Sequence, residues 1–121
     1  MSKFSKKPEE SKEKEETKQK IVSELSGDKV LTEVSDAARE LYNQSRYGTL
    51  LENGKVQLSL IEALYLMEKG TIEIYQSKTK KFDSESFSKK AKKLEPNFWV
   101  RYSVFKDIRN RGYIIKTALK F

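Results

Sequence analysis

Residues 58–70 of this 121-residue chain read Leu-Ser-Leu-Ile-Glu-Ala-Leu-Tyr-Leu-Met-Glu-Lys-Gly. Ser59 and Glu62 have the spacing of a capping box, in which two side chains bond the first free backbone N–H groups of a helix. Gly70 stands where a residue with positive φ ends many helices. Apolar residues recur between them at i, i+3, i+4 and i+7, namely Leu60, Ala63, Leu64 and Met67. The stretch therefore predicts an amphipathic helix with one face in the core.

Strand and turn signals precede this helix. Residues 29–34 are rich in β-branched and apolar side chains, which predicts a strand. Ser35 is predicted to cap a short helix with an apolar stripe of Ala37, Ala38, Leu41 and Tyr42. Asn53-Gly54 is a strong signal for a hairpin turn between two further strands.

A second set of elements follows the helix. Residues 71–75 alternate as a half-buried strand, and Ser84 is predicted to cap a basic helix that ends before Pro96. The predicted fold class is α+β, with residues 28–95 forming a small domain of helices and an antiparallel sheet.

The last part of the chain predicts another helix, capped by Asn97 and ended by Gly112, and then a strand over residues 113–121. Its core face is predicted to consist of Val100, Val104 and Ile108, with Phe98, Tyr102 and Phe105 beside them. One strand cannot bury such a helix. We therefore expect residues 96–121 to begin an incomplete α/β unit, whose missing layer comes from a partner or from further chain.

The first 27 residues alternate Lys, Glu and Ser around Pro8 and contain few apolar side chains. Such a segment buries too little surface to offset the entropy of ordering it, which predicts a mobile charged tail over residues 1–27. A helix formed with a partner, through Ile21, Val22 and Leu25, is the alternative.

Composition excludes several kinds of site. The chain contains no histidine and no cysteine, so the usual general base, thiolate nucleophiles and His or Cys metal ligands are all missing. The acidic residues lack the spacing of a magnesium site. We expect no catalytic metal and no cofactor. We also expect no membrane association, because no apolar run is long enough to span a bilayer. The expected location is the cytoplasm, or the nucleus if the organism is eukaryotic.

Two blocks of sequence resemble the archaeal type of tRNA-splicing endonuclease subunit. The first consists of Tyr47-Gly48 and residues 58–70, which are similar to the family's amino-terminal stretch LSLxEALYLxEKG. The second is residues 102–117, Tyr-Ser-Val-Phe-Lys-Asp-Ile-Arg-Asn-Arg-Gly-Tyr-Ile-Ile-Lys-Thr, which resemble YxVYxDLRxRGYxVKT at the start of the family's nuclease domain. The resemblance covers about residues 29 to 121 and implies that residues 96–121 begin a nuclease-like domain.

The resemblance also implies a function and partners. The family cleaves precursor tRNA with a Tyr, His and Lys constellation, through attack of a 2′-hydroxyl on the adjacent phosphate. None of those three positions matches a residue of this chain. The resemblance therefore implies no catalytic residue here, and we expect a non-catalytic subunit or the amino-terminal portion of an endonuclease. The implied partners are other endonuclease subunits, in a homo- or hetero-oligomer, and precursor tRNA.

Positive charge is concentrated in residues 76–121, which hold 13 of the 25 Lys and Arg residues but only four of the 18 Asp and Glu residues. A basic surface of this kind favours sequence-independent contact with RNA phosphates, although a solvated surface is the simpler interpretation. The RNA-contact candidates are Lys89, Lys90, Lys92, Lys93, Arg109 and Arg111. For both arginines, stabilisation of a helix C-terminus is the competing role. There are two alternative functions: an independent basic RNA-binding module, and a fragment of a catalytic subunit whose active site lies beyond residue 121.

Overall fold

The computed structural model describes residues 20–112, which form a five-stranded sheet and four helices. The strands are β1 (Ile21–Ser26), β2 (Lys29–Thr32), β3 (Thr49–Leu50), β4 (Val56–Ser59) and β5 (Ile72–Tyr75). The helices are α1 (Asp36–Asn43), α2 (Leu60–Glu68), α3 (Ser84–Leu94) and α4 (Phe98–Asn110). The α+β class is confirmed. No helix within residues 20–112 has the length and apolarity needed to cross a bilayer.

The sheet has the strand order β3-β4-β2-β1-β5 and is mixed. Neighbouring strands pair antiparallel from β3 to β1, but β1 and β5 run parallel, with Ile21 opposite Ile72. The sequence predicts an antiparallel sheet, and only the parallel pairing of β1 with β5 departs from that prediction. Residues 27–71 separate the two parallel strands, which gives the chain the length that a parallel connection needs.

The predicted mobile tail over residues 1–27 is wrong for residues 21–26, because these residues form strand β1. The strand lies between β2 and β5, with Ile21 and Ser23 buried and Val22 exposed. The Ser23 hydroxyl donates a 2.6 Å hydrogen bond to the Glu73 carbonyl, so this polar side chain is satisfied inside the core. In the chain by itself these residues form β1 and not a helix through Ile21, Val22 and Leu25. Residues 1–19 lie outside the described part of the chain.

Helix α1 and the β3–β4 hairpin form where the sequence predicts them. The Ser35 hydroxyl accepts the backbone N–H of Ala38 at 3.1 Å, which caps α1. The predicted stripe is only half right, since Ala38 and Leu41 are buried while Ala37 and Tyr42 are exposed. In the hairpin, the Asn53 side chain accepts the N–H of Lys55, and the N–H of Leu51 bonds the Lys55 carbonyl.

Helix α2 occupies the centre of the molecule. Its capping box is present, with the Ser59 hydroxyl accepting the Glu62 N–H at 3.1 Å and the Glu62 carboxylate accepting the Ser59 N–H at 3.0 Å. All seven residues from Leu60 to Leu66 are buried, because α2 packs against the sheet, α3 and α4. A helix that is buried on every side no longer shows a polar face.

The cap of helix α3 lies one residue earlier than predicted. The cap is Asp83, whose carboxylate accepts the Ser86 N–H at 2.7 Å, and this bond lowers the pKa of Asp83. The helix packs into the core through Phe87 and Ala91. The Phe87 ring meets Phe82 edge to face, with 5.4 Å between centroids, so both aromatics belong to the core.

Helix α4 buries a different face from the predicted one. Phe98, Tyr102 and Phe105 are buried in the common hydrophobic core, whereas Val100 is 69% exposed and Val104 is 41% exposed. Ile108 is half-buried. The side chain of Asn97 makes no capping hydrogen bond, contrary to expectation.

The aromatic face of α4 therefore shares one core with residues 21–91. The division into domains at residues 95 and 96 remains a prediction, and the predicted strand over residues 113–121 lies outside the described residues.

Candidate functional site

The two motif blocks meet where α2 crosses α4, in a cluster that we term the motif junction. The junction consists of Tyr47, Gly48, Glu62, Tyr65, Glu68, Tyr102, Phe105 and Arg109. At its centre, the rings of Tyr65 and Phe105 meet edge to face with 5.5 Å between centroids. The Tyr65 hydroxyl donates a 2.9 Å hydrogen bond to the side-chain oxygen of Asn110. Both blocks thus contribute to a single packed contact.

Arg109 ties the end of α4 to the loop that follows α1. Its guanidinium carbon lies 3.9 Å from the centroid of the Tyr47 ring, and its Nη2 donates a 3.0 Å hydrogen bond to the Ser45 carbonyl. Burial raises the pKa of Tyr47 against the opposing effect of the Arg109 charge. A stacked and hydrogen-bonded guanidinium has a structural role, so Arg109 is not placed as a freely exposed RNA contact.

Gly48 is held by the same buried carboxylate that caps α2. One oxygen of Glu62 accepts the Ser59 N–H and the other accepts the Gly48 N–H, each at 3.0 Å. Gly48 has a φ of +64°, and a Cβ added there would lie 2.5 Å from the Gln57 carbonyl oxygen. Only glycine fits this close approach of two backbones.

Glu68 forms the other polar contact between α2 and α4. Its carboxylate accepts a hydrogen bond from the Tyr102 hydroxyl and lies 3.7 Å from the Lys106 ammonium. Burial, together with the hydrogen bond to Glu68, raises the pKa of Tyr102. The phenol is therefore held in its protonated form.

An open cleft of about 560 Å³ lies beside Glu68. It is lined by Lys20, Met67, Glu68, Ile72, Glu73, Lys81, Phe82, Asp83, Ser84 and Lys106. Its charges pair across the walls, as Lys81 does with Glu73 at 3.4 Å. Within residues 20–112, no three acidic side chains converge in a way that could hold a metal ion. Glu68 belongs to both the cleft and the junction, where its carboxylate also accepts a 3.4 Å hydrogen bond from the Ser84 hydroxyl.

The other predicted RNA contacts lie on the surface. Lys89, Lys90, Lys92 and Lys93 are all exposed on α3, and we term them the α3 lysine face. Arg111 is exposed as well, but its Nε lies 3.2 Å from the Asp107 carboxylate. The structure thus separates the six candidates into a clustered set on α3, one paired arginine and one packed arginine.

Sequence reasoning missed two contacts of the motif junction. It placed Tyr47 in the first motif block but did not connect it with Arg109, and it gave no role to Glu68 or to the Tyr102 hydroxyl. The only sign of these contacts in the sequence was that polar residues occur among the apolar residues of the two motif blocks. That signal cannot identify partners that are 34 and 62 residues apart in the chain.

The fold and the junction define a small basic α+β module whose sequence motifs serve packing. Residues 21–88 match the family model described as tRNA intron endonuclease, N-terminal domain. The chain is 43% identical over 104 residues to a tRNA-splicing endonuclease of Thermococcus onnurineus, covering 86% of this chain and 60% of that protein. It is 45% identical over 97 residues to one of Pyrococcus horikoshii, covering 80% and 56%. For one of Methanosarcina barkeri the values are 37% over 94 residues, with 78% and 27% covered.

This chain belongs to the tRNA intron endonuclease family, and the matched residues constitute its N-terminal domain. The chain spans at most 60% of the length of these three relatives.

Proposed function

We propose that this chain takes part in removing introns from precursor tRNA, as a non-catalytic subunit or the amino-terminal portion of a tRNA-splicing endonuclease. It acts by assembly with catalytic units in a homo- or hetero-oligomer, in the cytoplasm. The observation that carries this proposal is the motif junction. Residues of the two motif blocks hold α2, α4 and the loop at Tyr47 together, and they form a scaffold.

The chemistry of the reaction supports a division of labour. Attack of a 2′-hydroxyl on the adjacent phosphate needs a base to accept its proton and an acid for the leaving oxygen. The chain has no histidine, and the tyrosines of the junction are buried or bonded to other side chains. A raised pKa also makes Tyr47 and Tyr102 poor bases near neutral pH. The catalytic groups therefore come from another part of the assembly.

The test compares two preparations from the source organism. The chain carries an affinity tag and is purified either with its native complex or, after expression elsewhere, alone. We expect the native complex to release the intron from a precursor tRNA and to leave 2′,3′-cyclic phosphate ends. The lone chain should release none. The matched control substrate carries a 2′-deoxyribose at each cut site, which removes the attacking hydroxyl.

Two outcomes would contradict the proposal. Intron release by the rigorously purified lone chain would show that it contains its own active site. A native preparation that neither cuts precursor tRNA nor contains another endonuclease unit would remove the role in assembly.

An independent RNA-binding module is the second candidate. The α3 lysine face favours it, because exposed ammonium groups attract phosphates whether or not a nuclease is present. This candidate predicts equal affinity for precursor and mature tRNA together with no co-purifying endonuclease unit, which the same preparation would show.

A further inference from the structure

The α3 lysine face is a continuous basic surface on a rigid support. Successive residues of an α-helix are about 100° apart, so these four lysines cover an arc of about 160° on the outer side of α3. Phe87 and Ala91, on the opposite side, are fully buried in the core. The helix is capped at Asp83 and followed by Pro96, which defines both of its ends. The positions of the four ammonium groups are therefore set by a packed helix.

Little in residues 20–112 neutralises this surface. Only Lys89 has an acidic partner there, Glu85 at 3.8 Å, and both side chains are largely exposed, so the pair is weak. The three other lysines have no ion pair within the described residues. The four lysines also place like charges at i, i+3 and i, i+4, which disfavours the helix. Only Lys92 and Lys93, in the last turn, gain from the helix dipole.

The surface suits a polyanion whose backbone is contacted and whose bases are not read. Lysine presents a compact charge without the planar fork that recognises guanine edges. The aromatic residue within the same helix, Phe87, is buried and cannot stack on a base. The chain around the helix has the same sign, since residues 76–112 contain 11 Lys and Arg but four Asp and Glu.

We propose that the α3 lysine face binds the phosphate backbone of precursor tRNA and so holds the substrate against the N-terminal domain. The choice of tRNA as the polyanion rests on the proposed function, whereas the surface itself rests on the structure. Recognition is independent of base sequence and extends equally to mature tRNA. It contributes to binding and leaves the choice of the cut site to other parts of the assembly.

The test substitutes Lys90→Gln, Lys92→Gln and Lys93→Gln together. The matched control is Lys29→Gln, Arg39→Gln and Lys55→Gln, which removes the same charge from β2, α1 and the β3–β4 turn. Affinity for precursor and mature tRNA is measured from about 50 to about 200 mM KCl. We expect the α3 variant to lose at least about tenfold in affinity at the low salt concentration. The negative slope of log K against log salt should become shallower, by about 2 to 3 in magnitude. The control should stay within about twofold of the wild type in affinity.

A third variant, with arginine at the same three α3 positions, guards against loss of folding. It retains the charges and should bind like the wild type. An unchanged slope in the glutamine variant would overturn the proposal, as would equal losses in the glutamine variant and its control. Loss of binding to phosphatidylserine vesicles with unchanged tRNA binding would also overturn it and assign the surface to a membrane.

These measurements separate the surface from the proposed function. If the salt slope of the α3 variant becomes shallower as expected but the chain co-purifies with no endonuclease unit, the phosphate-binding surface stands and the role in splicing fails. If the native complex cuts precursor tRNA but the α3 variant binds with an unchanged slope, the role in splicing stands and the α3 lysine face is only solvated.

Discussion

The guanidinium of Arg109 stacks on the ring of Tyr47, with 3.9 Å between its central carbon and the ring centroid. This contact joins the last turn of α4 to the loop after α1, and the hydrogen bond from Arg109 to the Ser45 carbonyl reinforces it. Arg109 and Arg111 come from the same motif block, yet only Arg109 is enclosed by the fold. The two arginines therefore form a natural pair for comparison.

Arg109→Ala is expected to lower the free energy of unfolding by about 2 to 3 kcal/mol, since it removes a stacked cation and a charged hydrogen bond from a partly buried position. Arg109→Lys should lose about half as much, because lysine keeps the charge but not the planar group. The control, Arg111→Ala, removes only an exposed ion pair and should change stability by about 0.5 kcal/mol or less. Urea denaturation measures all three. Equal losses for Arg109→Ala and Arg111→Ala would contradict the structural role.

A comparison of Gly48 with Gly27 separates the cost of a steric clash at Cβ from the cost of a positive φ angle. Their φ angles are nearly equal, +64° and +63°, but a Cβ at Gly48 would meet the Gln57 carbonyl at 2.5 Å while one at Gly27 would meet nothing within 4 Å. Gly27→Ala should therefore cost only the left-handed conformation, about 1 to 2 kcal/mol. Gly48→Ala should cost at least about 2 kcal/mol more, because backbone must move. Thermal or urea unfolding gives both values, and similar losses would show that the loop yields easily.

The hydrogen bond between Tyr102 and Glu68 predicts a dependence on alkaline pH. The pKa of Tyr102 is raised in the folded chain above its usual value of about 10, so folding favours the protonated phenol. Its contribution to stability is fully present below pH of about 10 and is lost as the pH rises above that value. Tyr102→Phe should lower the free energy of unfolding by about 1 to 3 kcal/mol near neutral pH. Above about pH 10 the stability of this variant should fall less steeply than that of the wild type.

Urea denaturation between about pH 8 and about pH 11 checks this prediction. Tyr75→Phe is the control, because the Tyr75 hydroxyl makes only a long 3.4 Å hydrogen bond to Glu73. Parallel stability curves for the wild type and Tyr102→Phe across this range would mean that Tyr102 does not hold its proton more tightly in the folded state.

The two faces of α4 should respond very differently to truncation. Phe105 is fully buried, so Phe105→Ala is expected to cost about 3 to 5 kcal/mol. Val100 is 69% exposed, so Val100→Ala should change the free energy of unfolding by about 0.5 kcal/mol or less. Chemical denaturation of the two variants shows which face of α4 contributes to the core. A large loss for Val100→Ala would restore the face that the sequence pattern predicts as the core.

Backbone amide exchange offers a check on α4 that needs no mutation. Because its aromatic face belongs to the common core, the amides of residues 102–110 should be protected to a similar degree as those of α2 in the purified chain. Helix α1, in which only Ala38 and Leu41 are buried, supplies the internal reference for a less deeply packed helix. Exchange of α4 at the rate of an unfolded peptide, with α2 still protected, would show that a partner is needed to order it.

Local sequence by itself determined the elements that depend on neighbouring residues. The capping box of α2 and the Asn53-Gly54 hairpin are correctly predicted, because each depends on hydrogen bonds between residues two or three positions apart. Helix α3 shows the limit of this reasoning. Asp83 and Ser84 are both suitable caps, and the actual start differs from the prediction by one residue.

Tertiary structure decided what depends on distant partners. Ser23 breaks the apolar alternation of β1, and only the Glu73 carbonyl, 50 residues away, makes its burial favourable. The valines of α4 form a helical stripe as regular as its aromatics, but the aromatic side fits against α2, where Tyr65 meets Phe105. Arg109 resembles a free cation in the sequence and becomes a packed one only because the fold brings Tyr47 beneath it. In each case the deciding energy is a contact between residues that the linear pattern does not relate.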